Sequence, residues 1–397
     1  MNRGSRAQWS VLPLGEVATF QRGFDITKAE QGDGPYPVVT SSGPTSTHSQ
    51  FRVRGAGVVI GRKGTLGTVF FVEGNYWPHD TTLWVKDFHG NDPRFVYYLL
   101  KTMRLEKYDC GASNPTINRN HIHPLAVKVP PIGDQVRISA VLSAYDDLIA
   151  NNTRRIKILE EMAQAIYREW FVHFRFPGHK KGKLANSPLG PIPHGWEVKR
   201  ATDAITVDPP TLVPREGEKP FVPMSSLSSD SMLVHDFELR TGNSGSKFRN
   251  GDTLFARITP CLENGKTAFV QFLPADQDVA FGSTEFIVLR SKTLCPEFVY
   301  LLARSVDFRS NAIKSMSGAS GRQRVQPACF DKFMFAHPDP MTLGTFAEHA
   351  APMFGAIQLL AVKNGNLRKA RDILRPKLIS GELNVSELDI KVGDEAA

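Results

Sequence analysis

Two short motifs in this sequence resemble parts of enzyme active sites. A methyltransferase that acts on a flipped base needs a glycine-rich cofactor loop and an Asn/Asp-Pro-Pro-aromatic motif, but Asp208-Pro209-Pro210 is followed by Thr211 and no glycine loop precedes it. Gly265-Lys266-Thr267 is similar to the end of a phosphate-binding loop, but Pro260 stands where the first glycine is needed and offers no N–H to a phosphate. We therefore predict neither methyl transfer nor ATP binding by this chain.

Metal chemistry is poorly supported as well. His121 and His123 would share one face of a possible strand, but no third ligand follows at metal spacing, so we expect structural or solvent-facing roles. The four cysteines lack CxxC pairs, which disfavours a zinc ribbon and a disulfide framework: Cys110, Cys261, Cys295 and Cys329. No acid–base pair or nucleophile triad is evident. We predict no catalytic residue and no metal site, and expect a reducing, cytoplasmic location.

Basic residues are concentrated in two parts of the chain. Of the net charge of +8, the excess lies in residues 1–132, with fifteen Lys and Arg against ten Asp and Glu, and in Lys180, Lys181 and Lys183. Such an excess suits a polyanionic partner, because phosphate contacts supply most sequence-independent affinity for nucleic acid. An ordinary basic protein is the alternative. No apolar run approaches membrane-spanning length, so we expect no membrane anchor.

One long stretch, residues 134–172, must organise the rest of the chain. It contains no Gly or Pro, and Asp134 can cap it as a helix of roughly 58 Å. Uncharged residues follow at alternating steps of four and three: Ile138, Leu142, Tyr145, Ile149, Asn152, Ile156, Leu159, Ala163, Ile166 and Trp170. This spacing is typical of a coiled-coil seam. The opposite face carries charged residues, among them Arg154, Arg155 and Glu160, which predicts exposure to solvent.

The chain repeats itself on either side of a linker at residues 176–195. Residues 57–62, 95–99 and 111–113 are similar, in the same order, to residues 251–257, 298–302 and 318–320. The seam also recurs at an offset of 208 residues, with these members: Met353, Ile357, Leu360, Asn364, Leu367 and Leu374.

The second copy of the seam is interrupted by Pro352 and Pro376, so we predict a helix from about Pro352 to Arg375, with a separate segment before it and a turn after it. Two seams predict an antiparallel coiled coil within one chain. Asn152 and Asn364 would fix its register, because a buried amide at a seam position specifies pairing. The alternative is that each helix is a core helix of an independent domain.

Five phrases lie around the duplicated plan: Trp9 with Leu14-Gly15-Glu16-Val17; Leu189-Gly190-Pro191-Ile192-Pro193-His194-Gly195-Trp196; Val129-Pro130-Pro131-Ile132 with Gln135 and Ile138; Asn151-Asn152 through Arg155-Ile156, Leu159-Glu160 and Ile166-Tyr167 to Trp170-Phe171; and Arg371-Asp372-Ile373-Leu374-Arg375-Pro376-Lys377-Leu378-Ile379-Ser380-Gly381-Glu382-Leu383. Each phrase is a weak pattern, but their order around a duplicated plan is specific. With them the sequence resembles the specificity subunits of type I restriction–modification systems over nearly its whole length.

The resemblance implies an α/β (α+β) fold with two similar mixed target-recognition domains separated by two long helices that pair as an antiparallel coiled coil. The corresponding boundaries are 1–132 for the first domain, called here the first lobe, 133–175 for the first helix, 176–195 for the linker, 196–340 for the second domain or second lobe, 341–385 for the second helix and 386–397 for a disordered tail. It further implies double-stranded DNA, two modification (methyltransferase) subunits and two restriction (endonuclease/translocase) subunits as partners. S-adenosylmethionine, ATP and Mg would then bind to partner subunits and not to this one.

DNA contacts are expected from polar and basic residues on loops beside the strands, because base edges need bidentate donors and acceptors and phosphates need cations. In the first lobe the candidates are Arg22, Ser41, Ser42, Arg62 and Lys63; in the second they are Ser225, Ser226, Arg257, Lys266, Arg322 and Arg324. These loops differ between the lobes, so the two half-sites should differ. The alternatives are a methyltransferase or nuclease fused to a recognition domain, and a protein-interaction scaffold without DNA specificity.

Overall fold

The computed structural model describes residues 9–111, 114–274, 279–319 and 321–386, apart from the side chain of Lys181. Residues 387–397 of the predicted tail, Ala112 and Ser113 of the first glycine-rich loop, and Ser320 of the second lie outside the described residues. The chain divides into two compact units: unit 1 runs to Ile149 and resumes at Gly365, and unit 2 is Ala150–Asn364. No helix in the described part of the chain is long and apolar enough to cross a bilayer.

Unit 1 is built on an antiparallel sheet and a smaller mixed sheet. Its elements are β1 (Ser10–Pro13), α1 (Leu14–Val17), β2 (Thr19–Arg22), β3 (Tyr36–Thr40), β4 (Gly43–His48), β5 (Gly57–Gly61), β6 (Val69–Val72), β7 (Trp77–Pro78), β8 (Thr82–Asp87), α2 (Pro93–Thr102), a 3₁₀ turn (Leu105–Tyr108), α3 (Arg119–Ile122), β9 (Ala126–Val129) and the start of α4 (Ile132–Tyr167). The strand orders are β2-β8-β5-β6, β4-β3-β7 with β3 and β7 parallel, and β1-β9.

Local sequence explains why α2 forms and where it packs. The side chain of Asp92 accepts a hydrogen bond from the Phe95 amide, and Pro93 occupies the first helical position, where its missing N–H is not needed. One face buries Phe95, Val96 and Leu99 against the sheet, while β5 supplies a strand that is buried along its whole length. Burial of such large apolar side chains stabilises the fold by about 1.5–3 kcal/mol for each side chain.

Unit 2 contains the rest of α4, a π-helical turn (Arg168–Val172) and a 3₁₀ turn (His179–Lys181). Its further elements are β10 (Leu184–Ser187), β11 (Gly190–Pro193), β12 (Glu197–Arg200), α5 (Ala201–Ala204), β13 (Ile205–Val207), β14 (Lys219–Val222), a 3₁₀ turn (Met224–Ser226), β15 (Glu238–Arg240), β16 (Ser246–Phe248), β17 (Thr253–Ala256), β18 (Thr267–Phe269), β19 (Ala280–Gly282), β20 (Phe286–Ser291), α6 (Pro296–Arg304), α7 (Val306–Lys314), α8 (Cys329–Lys332), β21 (Met334–His337) and the first part of α9 (Pro340–Ser380), which belongs to unit 1 from Gly365 onward.

The second set of strands repeats the first. The order β13-β20-β17-β18 corresponds to β2-β8-β5-β6, the mixed sheet β15-β14-β19-β16 contains the parallel pair β14 and β19, and β12-β21 corresponds to β1-β9. Helix α6, like α2, begins with a proline and packs on the sheet. The predicted mixed α/β class with an internal repeat is confirmed.

Helices α4 and α9 pack together antiparallel within each unit. In unit 1, Ile138 and Leu142 of α4 share a core with Leu378 of α9, and Arg371 pairs with Asp146. In unit 2, the Asn152 amide donates to Asn364 at 2.9 Å. Further along, Trp170, in the π-helical turn after α4, stacks edge-on against Phe346 of α9 with ring centroids 6.0 Å apart. None of the predicted seam residues is exposed.

The prediction for the second helix was wrong in one respect. Helix α9 continues without a break through Pro352 and Pro376, from Pro340 to Ser380. A proline inside a helix removes one N–H and crowds the carbonyl four residues earlier. Both prolines are exposed, so water can solvate the carbonyls that lose a partner, while buried neighbours such as Phe354 and Leu378 hold the helix in place.

Glu160 corrects a second prediction. It belongs to the predicted solvent-facing side of α4, but it is only 6% exposed. Its Oε1 accepts hydrogen bonds from the Met232 amide at 2.9 Å and from the Ser231 hydroxyl at 3.0 Å, and burial raises the pKa of its carboxyl. Glu160 therefore joins α4 to a loop of the second lobe, a contact that helical periodicity does not predict.

Candidate nucleic-acid interface

Four residues predicted to contact DNA in the first lobe meet at the end of β5. The amides of Arg62 and Lys63 donate to the Thr81 carbonyl at 2.9 and 3.0 Å, and the Ser41 amide donates to the Thr81 hydroxyl at 3.3 Å. The Ser42 hydroxyl lies 3.2 Å from that of Thr65. Main-chain amides and the hydroxyl groups of serine and threonine thus hold together segments from three parts of the sequence.

A polar cleft of about 440 Å³ lies beside this cluster. It is lined by Gln21, Arg22, Arg62, Leu83, Cys110 and residues 116–119. The Asn118 side chain accepts a hydrogen bond from the Asn120 amide and so begins α3, which presents Arg119 to the cleft. Asn118 and Arg119 were not predicted as site residues, although the polar run after the glycine-rich loop was a signal that could have found them.

Arg22, the fifth predicted residue of the first lobe, lines the same cleft and is held by carboxylates. Its Nη2 donates to Asp25 and to Asp80, each at 3.0 Å, and its side chain remains 50% exposed. Arg62 donates to the Asp80 carbonyl at 3.3 Å. Two arginines therefore converge on Asp80.

The second lobe repeats the main-chain hydrogen bonds made by Arg62, but with different side chains around them. We call this shared pattern of hydrogen bonds the main-chain frame. The Arg257 amide donates to the Glu285 carbonyl at 2.9 Å, as Arg62 does to Thr81, and the Arg257 carbonyl accepts from Val325, as that of Arg62 does from Ile117. Arg324 forms a bidentate ion pair with Glu285, with Nε and Nη2 both within 3.1 Å of its oxygens.

Several of the predicted residues are buried or make contacts within the protein. Ser41 and Ser226 are 8% and 5% exposed, so burial argues against direct DNA contacts from either. The Lys266 ammonium donates a hydrogen bond to the Met224 carbonyl at 3.1 Å, so this charged group is bound to the main chain of the protein. Arg257 is half-buried, and its Nε is buried with no hydrogen-bond partner among the described residues.

The remaining candidates are exposed: Ser42, Lys63, Ser225 and Arg322. Among the described residues, neither Lys63 nor Arg322 has an acidic partner. These two cations are therefore available to an anionic ligand.

The motifs that resemble enzyme sites have structural roles. The Asp208 side chain accepts from the Val288 amide at 2.9 Å, and burial raises the pKa of its carboxyl. His121 and His123 lie in and just after α3, so the predicted strand is wrong: the Asn118 cap begins a helix there. His123 Nε2 accepts from the Phe20 amide at 3.1 Å. The described residues contain no group of three or more side chains able to hold a metal ion.

Comparisons with known proteins agree with this architecture. A sequence profile described as the type I restriction modification DNA specificity domain matches residues 7–161. The chain is 27% identical to the MjaIX specificity subunit of Methanocaldococcus jannaschii, over 74% of this chain and 70% of the relative. It is 31% identical to the EcoEI specificity subunit of Escherichia coli, over 40% of this chain but only 28% of that relative.

A crystal structure of the type I restriction–modification S subunit from M. genitalium aligns over 96% of this chain and 98% of that chain, with a TM-score of 0.60 and 13% identity. At this identity the alignment supports the fold alone. The sequence matches are with specificity subunits: the profile covers the first lobe and much of α4, and the relative from M. jannaschii covers most of the chain. The chain is thus similar in sequence to the specificity subunits of type I restriction–modification systems, and residues 7–161 match their DNA specificity domain.

Proposed function

We propose that this chain is the DNA-recognition subunit of a type I restriction–modification complex, and that each lobe recognises one half of a bipartite, asymmetric DNA target. The observation that carries this proposal is the shared main-chain frame with unlike side chains. In the first lobe the frame places Lys63 opposite Thr116, and in the second it places Ile258 opposite Arg324. Equivalent positions that differ in charge and size would contact different bases.

We further propose that α4 and α9 set the distance between the half-sites and dock the partner subunits. Both helices carry large apolar residues that are 46–62% exposed, which favours burial against partner proteins. These are Leu148, Ile158 and Met162 on α4, and Leu359, Val362 and Ile373 on α9. In this proposal two modification and two restriction subunits bind S-adenosylmethionine, ATP and Mg, and the complex works in the cytoplasm. This chain then supplies recognition and not catalysis.

Sequencing of methylated adenines tests the proposal, after co-expression of the full chain with its cognate modification subunit in a host that lacks other methyltransferases. We expect one motif with two different half-sites separated by unspecified bases, and no such methylation without this chain. A single palindromic motif, or the same motif in the absence of this chain, would overturn the proposal.

A further inference from the structure

Each lobe holds a carboxylate just before the equivalent central strand. Asp80 lies two residues before β8, and Glu285 lies one residue before β20. Glu285 is itself the residue whose carbonyl accepts the Arg257 amide, and Asp80 directly precedes Thr81, whose carbonyl accepts the Arg62 amide. Asp80 and Glu285 are 20% and 22% exposed, so both are partly withdrawn from solvent. Each candidate interface therefore has one acidic group within one residue of the same position of the repeat.

Each carboxylate holds an arginine that comes from a different part of its lobe. Arg22 arrives from the end of β2, whereas Arg324 arrives from the segment that follows the second glycine-rich loop. The side chains of Arg22 and Arg324 remain 50% and 46% exposed. Because the arginines come from different elements, sequence similarity between the halves does not predict their correspondence. Only the folded lobes bring it about.

We propose that Arg22 and Arg324 each contact a guanine in the half-site of their own lobe, and that Asp80 and Glu285 are positioning residues that orient the two guanidinium groups. This inference rests on the proposed DNA-recognition function. It adds the base that each lobe recognises and the residue that recognises it.

The chemistry of the pairs favours a base edge over a phosphate. A carboxylate beside an arginine offsets its positive charge and repels a phosphate, so an ion-paired arginine is a poor phosphate ligand. Guanine presents two neutral acceptors, O6 and N7, to which an oriented arginine can donate two parallel hydrogen bonds. Lys63 and Arg322, which are exposed and lack acidic partners in the described part of the chain, suit the phosphates better.

The geometry leaves donors for such a contact. Arg324 engages Glu285 through Nε and Nη2, so Nη1 and one proton of Nη2 can point to a ligand. Arg22 engages Asp80 and Asp25 through Nη2 alone. Asp25 is 84% exposed, so an approaching base edge can displace it while Asp80 keeps the guanidinium in place.

Arginine-to-lysine substitutions provide the sharpest test, because lysine keeps the charge but loses the planar fork. Arg22→Lys and Arg324→Lys would be compared with the wild type in the complex with the modification subunit, by sequencing of methylated sites. We expect each to lower the preference for guanine at one position of one half-site by roughly 10- to 100-fold, and to leave the other half-site unchanged. Arg94→Lys is the matched control, since Arg94 pairs with Glu73 at 3.0 Å outside the cleft.

Two further variants test the positioning role. Asp80→Asn and Glu285→Gln remove a negative charge, so we expect tighter binding to unrelated DNA together with a loss of guanine preference. If the carboxylate only stabilised the fold, its substitution would lower the melting temperature but would not strengthen binding to unrelated DNA while weakening the preference for guanine. Melting temperatures of all variants would show that each one is folded.

Three results would overturn the inference: full specificity in both lysine variants, an equal loss of methylation at every site in place of a loss confined to one position of one half-site, or a half-site without any G·C pair. If the wild-type complex gave no bipartite motif, the proposed function itself would fail. A bipartite motif that the lysine variants leave intact would instead refute only the roles of Arg22 and Arg324.

Discussion

The two lysines predicted to contact DNA have different surroundings. Lys63 is exposed at the end of β5, whereas Lys266 is half-buried and donates to the Met224 carbonyl. An exposed lysine can bind a phosphate and release counterions, but a lysine bound to the main chain stabilises the fold.

We therefore expect the two alanine variants to separate binding from stability. Lys63→Ala should weaken binding to all DNA sequences alike, without changing the melting temperature. It should also reduce the slope of log affinity against log salt concentration by about one. Lys266→Ala should lower the melting temperature, because the half-buried Lys266 loses its hydrogen bond to the Met224 carbonyl, a contact worth about 0.5–1.5 kcal/mol. DNA-binding titrations at several salt concentrations and thermal unfolding measure the two effects. The reverse pattern would contradict these assignments.

His123 makes the stability of the first lobe depend on pH. Burial, and to a lesser degree the nearby charge of Arg119, lowers the pKa of His123 below its ordinary 6.5, and its Nε2 accepts from the Phe20 amide. As the pH falls below about 6.5, the unfolded chain takes up a proton at this residue before the folded chain does. The stabilisation is therefore complete above pH 6.5 and is lost as the pH falls through the folded pKa.

The substitution His123→Gln tests this, since a glutamine oxygen can accept from Phe20 but does not titrate. Melting temperatures measured between pH 7.5 and 5.5 should fall less steeply for the variant than for the wild type. His121→Gln, at an exposed position two residues earlier, is the control. Equal slopes for wild type and His123→Gln would contradict the role of His123.

At the scale of elements, the sequence predicted the two long helices well because their seams obey a simple geometric rule. Alternating steps of four and three place residues on one face, and Ile138, Leu142, Ile156 and Ile357 are all buried there. The rule could not predict that α9 would continue through its prolines. The low helix propensity of proline reflects the hydrogen bond that it removes. It does not include the tertiary packing of the neighbouring residues, which outweighs that loss in α9.

The paired asparagines of α4 and α9 should specify the helix pairing. Asn364 is 2% exposed, accepts from Asn152 at 2.9 Å and donates to Thr153 at 3.2 Å. Asn152→Leu removes one donor to a buried amide, so we expect a loss of roughly 1–3 kcal/mol in the free energy of unfolding. The double variant Asn152→Leu/Asn364→Leu should recover much of that loss, because replacing both amides leaves neither of them buried without a hydrogen-bond partner.

A double-mutant cycle measured by denaturant unfolding would test this coupling, and size-exclusion chromatography with the modification subunits would test assembly. Coupling should exceed about 0.5 kcal/mol for residues in direct contact. Additive effects of the two substitutions together with unchanged assembly would contradict a role in register.

At the scale of the whole molecule, the repeat was predictable but much of the candidate interface was not. The order of similar segments revealed two lobes of one plan, and the sheets follow it. Residue type alone, however, could not distinguish buried Ser41 from exposed Ser42, or show that Arg119 lines the cleft. These depend on long-range contacts between strands, which local patterns do not encode.

The proposed spacer role of α4 and α9 makes the central claim directly measurable. One heptad inserted between Asn151 and Asn152, with a matching heptad after Asn364, preserves the seam and lengthens both helices by roughly 10 Å, or about three base pairs of DNA. Both insertions lie within two residues of the boundaries between unit 1 and unit 2.

Sequencing of methylated adenines should then return the same two half-sites in the insertion variant as in the wild type, separated by about three more unspecified bases. The same spacing in both proteins would contradict the claim that the helices set the distance between two DNA-recognition lobes, as would a continuous palindromic motif in either one.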